Sequence, residues 1–454
     1  MTWKRRFLYN AMILTGGAVA LRLTNIAFRV FICGQLGDSG MGLYQLIFSI
    51  FSLAVTACTS GVSLAVTRLV AEGNGVRPSV GRCMVLALLI SGLAGLVLWC
   101  GSGWIAAILL GSPEAARPIR LLVPGLPCMA VCACIKGYFL AVRNTALPAA
   151  GELLEQVFTI GAGMLLMSRM TPLDALMLGS TLGEASSCLL LGLCFLCTVR
   201  RNPGGRAGKG RVATRKVLHI AAPVLCGNFV RSTLNSTENL LVPRGLKQYG
   251  AGAAGSLAQY GIMQGMVMPI LLFPASFITP LCSLFIPELA ERAASGRQKS
   301  IQRMARLAMR LTLLFSFIVT TLLIVFAEPL CNLFFNNTQA GVLLRIMAPI
   351  VPLMYLDSIV DGMLKGLDQQ VSTLKYNFSD SLLRVLFIAV LLPVFGMKAY
   401  VFVLFFSEIF NASLSIHRLL KVTDLTVDVV DWVLLPAVTG ALLYYFLSFL
   451  TALI

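Results

Sequence analysis

Arg22 and Arg29 stand seven residues apart in "ALRLTNIAFRVFICGQLGDSGMGLYQL", residues 20–46, inside an apolar run that ends in a glycine-rich turn. A guanidinium keeps its charge at any relevant pH, and at the centre of a membrane helix it costs about 2.5 to 3.5 kcal/mol even on lenient insertion scales. It therefore needs a wet cavity or a counter-charge. On a helix that starts near Phe7, Arg22 lies roughly 22 Å along the axis, too deep to reach the near surface. Asn25 at i+3 and Arg29 at i+7 continue the same face as a polar stripe. Arg29 either lines the same cavity or snorkels to the far surface. The chemistry this stripe offers is anion binding.

A second stripe repeats the device. In "CGNFVRSTLNSTENLLV", residues 226–242, Arg231, Asn235, Glu238 and Asn239 recur at i, i+4, i+7 and i+8. They are read either as a structural polar network or as a second cavity lining. The carboxylates form a third group. Glu152, Glu155 and Gln156 open one apolar run in "GELLEQVF", Asp357 and Asp361 share a face of another, and Glu184 and Glu408 stand alone in theirs. Glu155, Asp357 and Asp361 are candidates to relay protons or bind a coupling cation, H+ or Na+. The alternative is that the acids neutralise Lys136 and Arg384.

Catalytic chemistry finds no constellation. The two histidines, His219 and His417, have no Ser or Asp partners in a triad pattern, and no glycine-rich phosphate loop is present. "CMAVCAC" sets Cys128, Cys132 and Cys134 close together without a partnering His or acid, so no metal site is expected. The expectation is a protein without enzymatic activity, cofactor or nucleic-acid partner, whose work is driven by ion gradients, membrane potential or substrate supply.

These residues must be positioned by membrane helices. Of 454 residues 57% are hydrophobic and 12% charged, against roughly 25% charged in soluble proteins. Apolar runs of about 20 residues recur along the whole chain, the pattern of a polytopic helical bundle. Thirteen spans are expected, near 7–33, 43–70, 83–110, 119–141, 150–168, 175–198, 217–243, 260–289, 304–327, 343–364, 378–396, 400–417 and 432–453. The 36 Lys and Arg against 19 Asp and Glu give a formal +17. With a cytoplasmic N-terminus, most of the basic residues fall in inner loops, where they set topology and contact anionic membrane lipids. The start "MTWKRRFLYNAMILTGGAVA" is read as the first span rather than a cleaved leader, because cleavage would discard a helix the topology uses.

The widest inner connection, "RRNPGGRAGKGRVATRK" at residues 200–216, is polar, flexible and cationic. It divides the chain into a six-helix lobe at 1–199 and another at 217–420, with an additional span at 421–454. "TRLVAEGNG" against "PELAERAASG", and "IKGYFLAVRN" against "VDGMLKGLDQ", occur in the same order at corresponding spans, which reads as an internal duplication. Pro124 and Pro127, Pro269, Pro274, Pro280 and Pro287, and Pro349 and Pro352 punctuate three spans, as packing kinks or as hinges.

The series "GQLGDSGMGLYQL", "GVSLAVTRLVAEGN", "NTALPAAGELLEQVF" and "LLFPASFITPLCSLFIPELAERAASG" resembles the stage V sporulation protein B branch of the polysaccharide exporter family, over about residues 5–420. The superfamily of that branch includes the multidrug (MATE) antiporters and the lipid II flippases. The resemblance implies an all-α polytopic fold, with two six-helix lobes in pseudo-twofold arrangement around a central cavity. It also implies alternating access in the bacterial cytoplasmic membrane. The implied cargo is an undecaprenyl-pyrophosphate-linked oligosaccharide or peptidoglycan precursor, moved in envelope or spore cortex assembly by a monomer. For such a cargo the guanidinium suits pyrophosphate oxygens. Arg22 matches a first-span cavity arginine of the lipid II flippases, Arg29 is offset from their second, and their second- and eighth-span arginines have no match here.

Two rival readings are open. A MATE-type pump would exchange Na+ or H+ for cationic drugs, yet the first two spans carry no acid, and a cavity bearing Arg22 and Arg231 repels organic cations. A membrane scaffold or scramblase leaves the intramembrane charges without a purpose.

Overall fold

The computed structural model describes the backbone of residues 3–72, 76–142, 144, 146–201, 214–425, 432 and 434–453. Within these, the side chains of 3–22, 77, 201, 279–285, 287 and 451–453 are outside the description. Among the described residues every regular element is a helix. They are α1 (Trp3–Thr59), α2 (Val62–Ala71), α3 (Val76–Trp104), α4 (Ala116–Leu122), α5 (Gly125–Ala141), α6 (Ala146–Leu166), α7 (Pro172–Arg201), α8 (Thr214–Leu246) and α9 (Gly252–Gly261). Then follow α10 (Met268–Leu272), α11 (Thr279–Ala294), α12 (Gln298–Val325), α13 (Ala327–Phe335), α14 (Thr338–Met347), α15 (Val351–Gly366), α16 (Gln370–Phe395), α17 (Met397–Thr423) and α18 (Leu435–Leu453).

Among the described residues ten helical stretches are long and apolar enough to cross a membrane. Two have double length: Leu23–Ala71 with 49 residues holds the expected span 43–70 and the end of 7–33, and Thr214–Phe277 with 64 holds 217–243 and most of 260–289; Leu435–Leu450 is a shorter apolar helix. The chain is a multi-pass membrane protein.

The double lengths correct one expectation. Residues 34–42, read as a loop, are helical, and a single residue turns the chain: Gly37 has φ 66° and ψ −180°. Only glycine adopts that backbone without strain. Gly250, φ 113°, likewise breaks the path between α8 and α9. The prolines fall at interruptions too: Pro124 before α5, Pro274 in the short 3-10 turn before α11, and Pro349 in the turn before α15.

Contacts within the chain gather into two units, residues 43–240 and residues 1–42 with 241–454. The cuts fall inside α1 and α8. Residues 202–213, most of the expected basic linker, lie outside the described residues.

In the unit of residues 43–240, α5 packs against α2, α3 and α7, and α6 lies along α7. Leu126, Ala130, Cys134, Ile135 and Phe139 of α5 are buried. Thr67 Oγ1 donates to the Gly137 carbonyl at 2.9 Å, and Thr181 Oγ1 to that of Leu121 at 2.7 Å.

In the other unit α15 packs on α11, α12 and α17, α16 on α17, and α18 along α12. Tyr355 Oη donates to the Leu271 carbonyl at 2.7 Å, and Gln264 Nε2 to Tyr400 Oη at 2.9 Å. Hydroxyls and amides satisfied inside apolar helices in this way hold spans together where no hydrophobic effect can.

Candidate functional site

Of the first polar stripe, Arg22 is in α1 but its side chain lies outside the described residues. Asn25 is exposed and Arg29 half-buried, while Phe28 and Ile32 on the adjoining face are buried. These belong to the unit with residues 241–454.

The second stripe belongs to residues 43–240. Arg231 and Asn235 are exposed on α8, whereas Glu238 is buried. The neighbouring face of α8 is pinned to the end of α1 and to Ser60 just beyond it by small polar groups. Asn228 Nδ2 donates to Ser60 Oγ at 3.5 Å, Ser236 Oγ to the Ser49 carbonyl at 2.9 Å, and Asn239 Nδ2 to Ser49 Oγ at 3.0 Å. Thr56 Oγ1 donates to Ser232 Oγ at 3.3 Å. With that face held, Arg231 and Asn235 stand beside the contact with α1.

A cavity of about 680 Å³ opens inside the same unit. Its wall carries the hydroxyls of Thr59, Ser60, Ser63 and Thr67, the charged groups Lys136, Glu152, Glu155 and Glu184, and apolar Val55, Leu64 and Met129. Lys136 Nζ pairs with Glu152 Oε1 at 3.1 Å. Glu155 faces Lys136 as well, and its carboxylate is within hydrogen-bonding reach of Glu184. One acid thus neutralises the lysine, and two more remain beside it. Adjacent carboxylates of this kind can share a proton or hold a small cation.

In the other unit α15, α16 and α17 build a polar network. Asn411 Nδ2 donates to Asp357 Oδ2 at 3.0 Å and to Asn377 Oδ1 at 3.2 Å, and Asn377 Nδ2 to Asp361 Oδ2 at 3.4 Å. The two acids expected on one face of α15 are therefore bridged by two asparagines. Asn411 Oδ1 is buried without a hydrogen-bond donor, and the buried Asp357 Oδ1 has only the Ser415 hydroxyl facing its carboxylate. Unpartnered acceptors in a buried network are what a proton or a cation would satisfy.

A turn further along α16, Arg384 Nη2 pairs with Asp380 Oδ2 at 2.9 Å, and Arg384 Nε donates to Ser407 Oγ at 3.0 Å. Ser407 Oγ also donates to Asp380 Oδ1. Glu408 of α17 faces Arg384. Asp380, Asn377, Ser407 and Asn411 are absent from the sequence-based candidates. The i, i+4 spacing of Asp380 and Arg384 was the one available signal; the partners on α17 had none.

A family model described as a polysaccharide biosynthesis protein matches residues 36–338. The chain is similar to stage V sporulation protein B of Bacillus subtilis (strain 168), 23% identical over 96% of this chain and 88% of that protein. It is also similar to sporulation protein YkvU of the same organism, 22% identical over 76% and 79%. Among solved structures it is similar to the inward-facing conformation of a multidrug resistance MATE family transporter of the MOP superfamily. That match has a TM-score of 0.66 at 14% identity and covers 89% of this chain and 96% of that one. At such identity the likeness is one of fold, and it bears out the all-α MATE-like architecture expected from the sequence.

Proposed function

Because the chain belongs to the polysaccharide biosynthesis protein family, we propose that it is an alternating-access flippase of the bacterial cytoplasmic membrane, moving a lipid-linked oligosaccharide or peptidoglycan precursor in envelope or spore cortex assembly. The observation that carries this reading is the exposed Arg231–Asn235 face on α8, within a helical stretch, Thr214–Phe277, long and apolar enough to cross a membrane. A cation left exposed at that cost asks for an anionic ligand, and a polyprenyl pyrophosphate supplies one with oxygens that fit the guanidinium fork. Arg22, Asn25 and Arg29 on α1 and Asn235 and Glu238 on α8 are further candidates for substrate binding. Coupling to H+ or Na+ runs through Glu155 or through Asp357 and Asp361. The protein works as a monomer, with its N-terminus in the cytoplasm and no catalytic step of its own.

A second reading, cation-coupled efflux of organic cations, draws on the cavity of residues 43–240, where three carboxylates face one lysine. One experiment separates them. Full-length protein in liposomes is given a fluorescent polyprenyl-pyrophosphate sugar in one arm and ethidium in the other. Saccharide movement that is lost in Arg22→Ala and Arg231→Ala, with folding intact, supports the flippase. Ethidium transport without saccharide movement overturns it.

A further inference from the structure

Outside these sites, the first half of α12 carries Lys299, Arg303, Arg306 and Arg310 at i, i+4, i+7 and i+11. At 100° per residue the four fall within about 60° of arc, and they span roughly 16 Å of helix. All four residues are exposed. The opposite face, Ile301, Ala305, Ala308 and Met309, is buried. Gln302 Nε2 fixes the start of the helix by donating to the carbonyls of Thr423 at 2.9 Å and Asp424 at 3.3 Å. The stripe is thus a rigid ladder of cations.

From Leu311 to Val325 the helix carries no charge. Its 28 residues extend about 42 Å, against about 30 Å for a hydrocarbon core. The uncharged half occupies the core, which sets Lys299, Arg303 and Arg306 at the depth of lipid phosphates. Leu307 and Leu311, each 54% exposed, continue beside the ladder. Exposed Arg297 and Lys421 flank the helix start, beside the carbonyls of Val422, Thr423 and Asp424.

We infer that this face of α12 is a binding site for an anionic glycerophospholipid, with the phosphate on the basic ladder and an acyl chain along Leu307 and Leu311. A surface cationic at one end and apolar at the other complements an amphiphile of opposite charge. The site is independent of what the protein transports.

The test uses the full chain purified in a neutral detergent, with native mass spectrometry to read bound lipid. Phosphatidylglycerol should remain bound where phosphatidylcholine is lost. Lys299→Gln/Arg303→Gln/Arg306→Gln should weaken its retention about a hundredfold, at roughly 1 kcal/mol for each cation near an anionic surface. Arg303→Lys/Arg306→Lys should keep it. Melting temperatures in phosphatidylcholine micelles show that each variant is folded. Equal retention of the two lipids, retention unchanged in the folded triple variant, or displacement of phosphatidylglycerol by equimolar polyprenyl pyrophosphate would overturn the inference.

Discussion

Gly42 and Gly261 meet backbone to backbone. A Cβ on Gly261 would fall 2.6 Å from the Gly42 amide nitrogen and overlap the Asp38 carbonyl oxygen, and one on Gly42 would overlap the carbonyl of Leu257. The start of the second half of α1 therefore crosses α9 at a distance only glycine permits. The motif that carries the family resemblance, "GQLGDSGMGLYQL", is here a helix crossing rather than a loop.

Gly261→Ala should lower stability by about 1 to 3 kcal/mol, the range of overpacking. Gly227→Ala is the control, since an added Cβ at Gly227 meets nothing within 4 Å. That change should be neutral or stabilising by up to about 1 kcal/mol, as expected for alanine over glycine in a helix. Thermal unfolding in detergent distinguishes the two, and equal melting points would remove the crossing as a constraint.

The same crossing is tied by Asn337, whose Nδ2 donates to Asp38 Oδ2 at 2.9 Å while its Oδ1 caps α14 by accepting from the Ala340 amide at 3.0 Å. Asn337→Asp keeps the cap acceptor but sets a carboxylate against Asp38. It should destabilise by more than the roughly 0.5 to 2 kcal/mol that loss of a cap costs in Asn337→Ala. If the two variants melt together, the contact with Asp38 contributes nothing.

The membrane class and most of the apolar spans were legible because apolar length is a local property of the chain. Residues 34–42 were misread for a reason: a glycine cluster signals a turn, but only Gly37 makes one, and the glycine at 42 serves a helix crossing that involves α9 more than 200 residues away. The acid pair Asp357 and Asp361 was visible as one face of α15, whereas Asn377 and Asn411, which bridge it, come from α16 and α17 and have no sequence signature. Likewise Glu184 stood alone along the chain and meets Glu155 only because α6 lies along α7.

Asp380 and Arg384 are buried enough to couple strongly, with side chains 6% and 23% exposed. Removing one partner of such a pair typically costs about 3 to 5 kcal/mol, because the other charge stays behind. Asp380→Ala should therefore destabilise more than the double change Asp380→Ala/Arg384→Met. A double-mutant cycle on thermal stability should return a coupling well above the few tenths of a kcal/mol of independent sites. Additive effects would show that Ser407 and Glu408 satisfy Arg384 without Asp380.

Under the proposed function, ion coupling would run through the Glu155–Glu184 pair or through the Asp357–Asn411–Asn377–Asp361 network, which belong to different units of the chain. Substitution separates them if transport is read with and without an imposed gradient. Glu184→Gln leaves Glu155 with an amide in place of a second acid, and Asp357→Asn leaves Asn411 its hydrogen-bond partner while deleting the charge. At the coupling site, the neutral variant should still bind substrate and exchange it at equilibrium but lose the acceleration that a proton or sodium gradient gives the wild type. At the other site, the variant should keep that acceleration. Arg231→Ala gives the reverse profile: substrate binding weakens about tenfold or more, the loss of one charge-assisted contact worth about 1.5 to 3 kcal/mol, and the gradient response of the residual transport persists. A wild-type rate indifferent to both gradients would remove ion coupling from both acid clusters and leave the supply of substrate as the driving force.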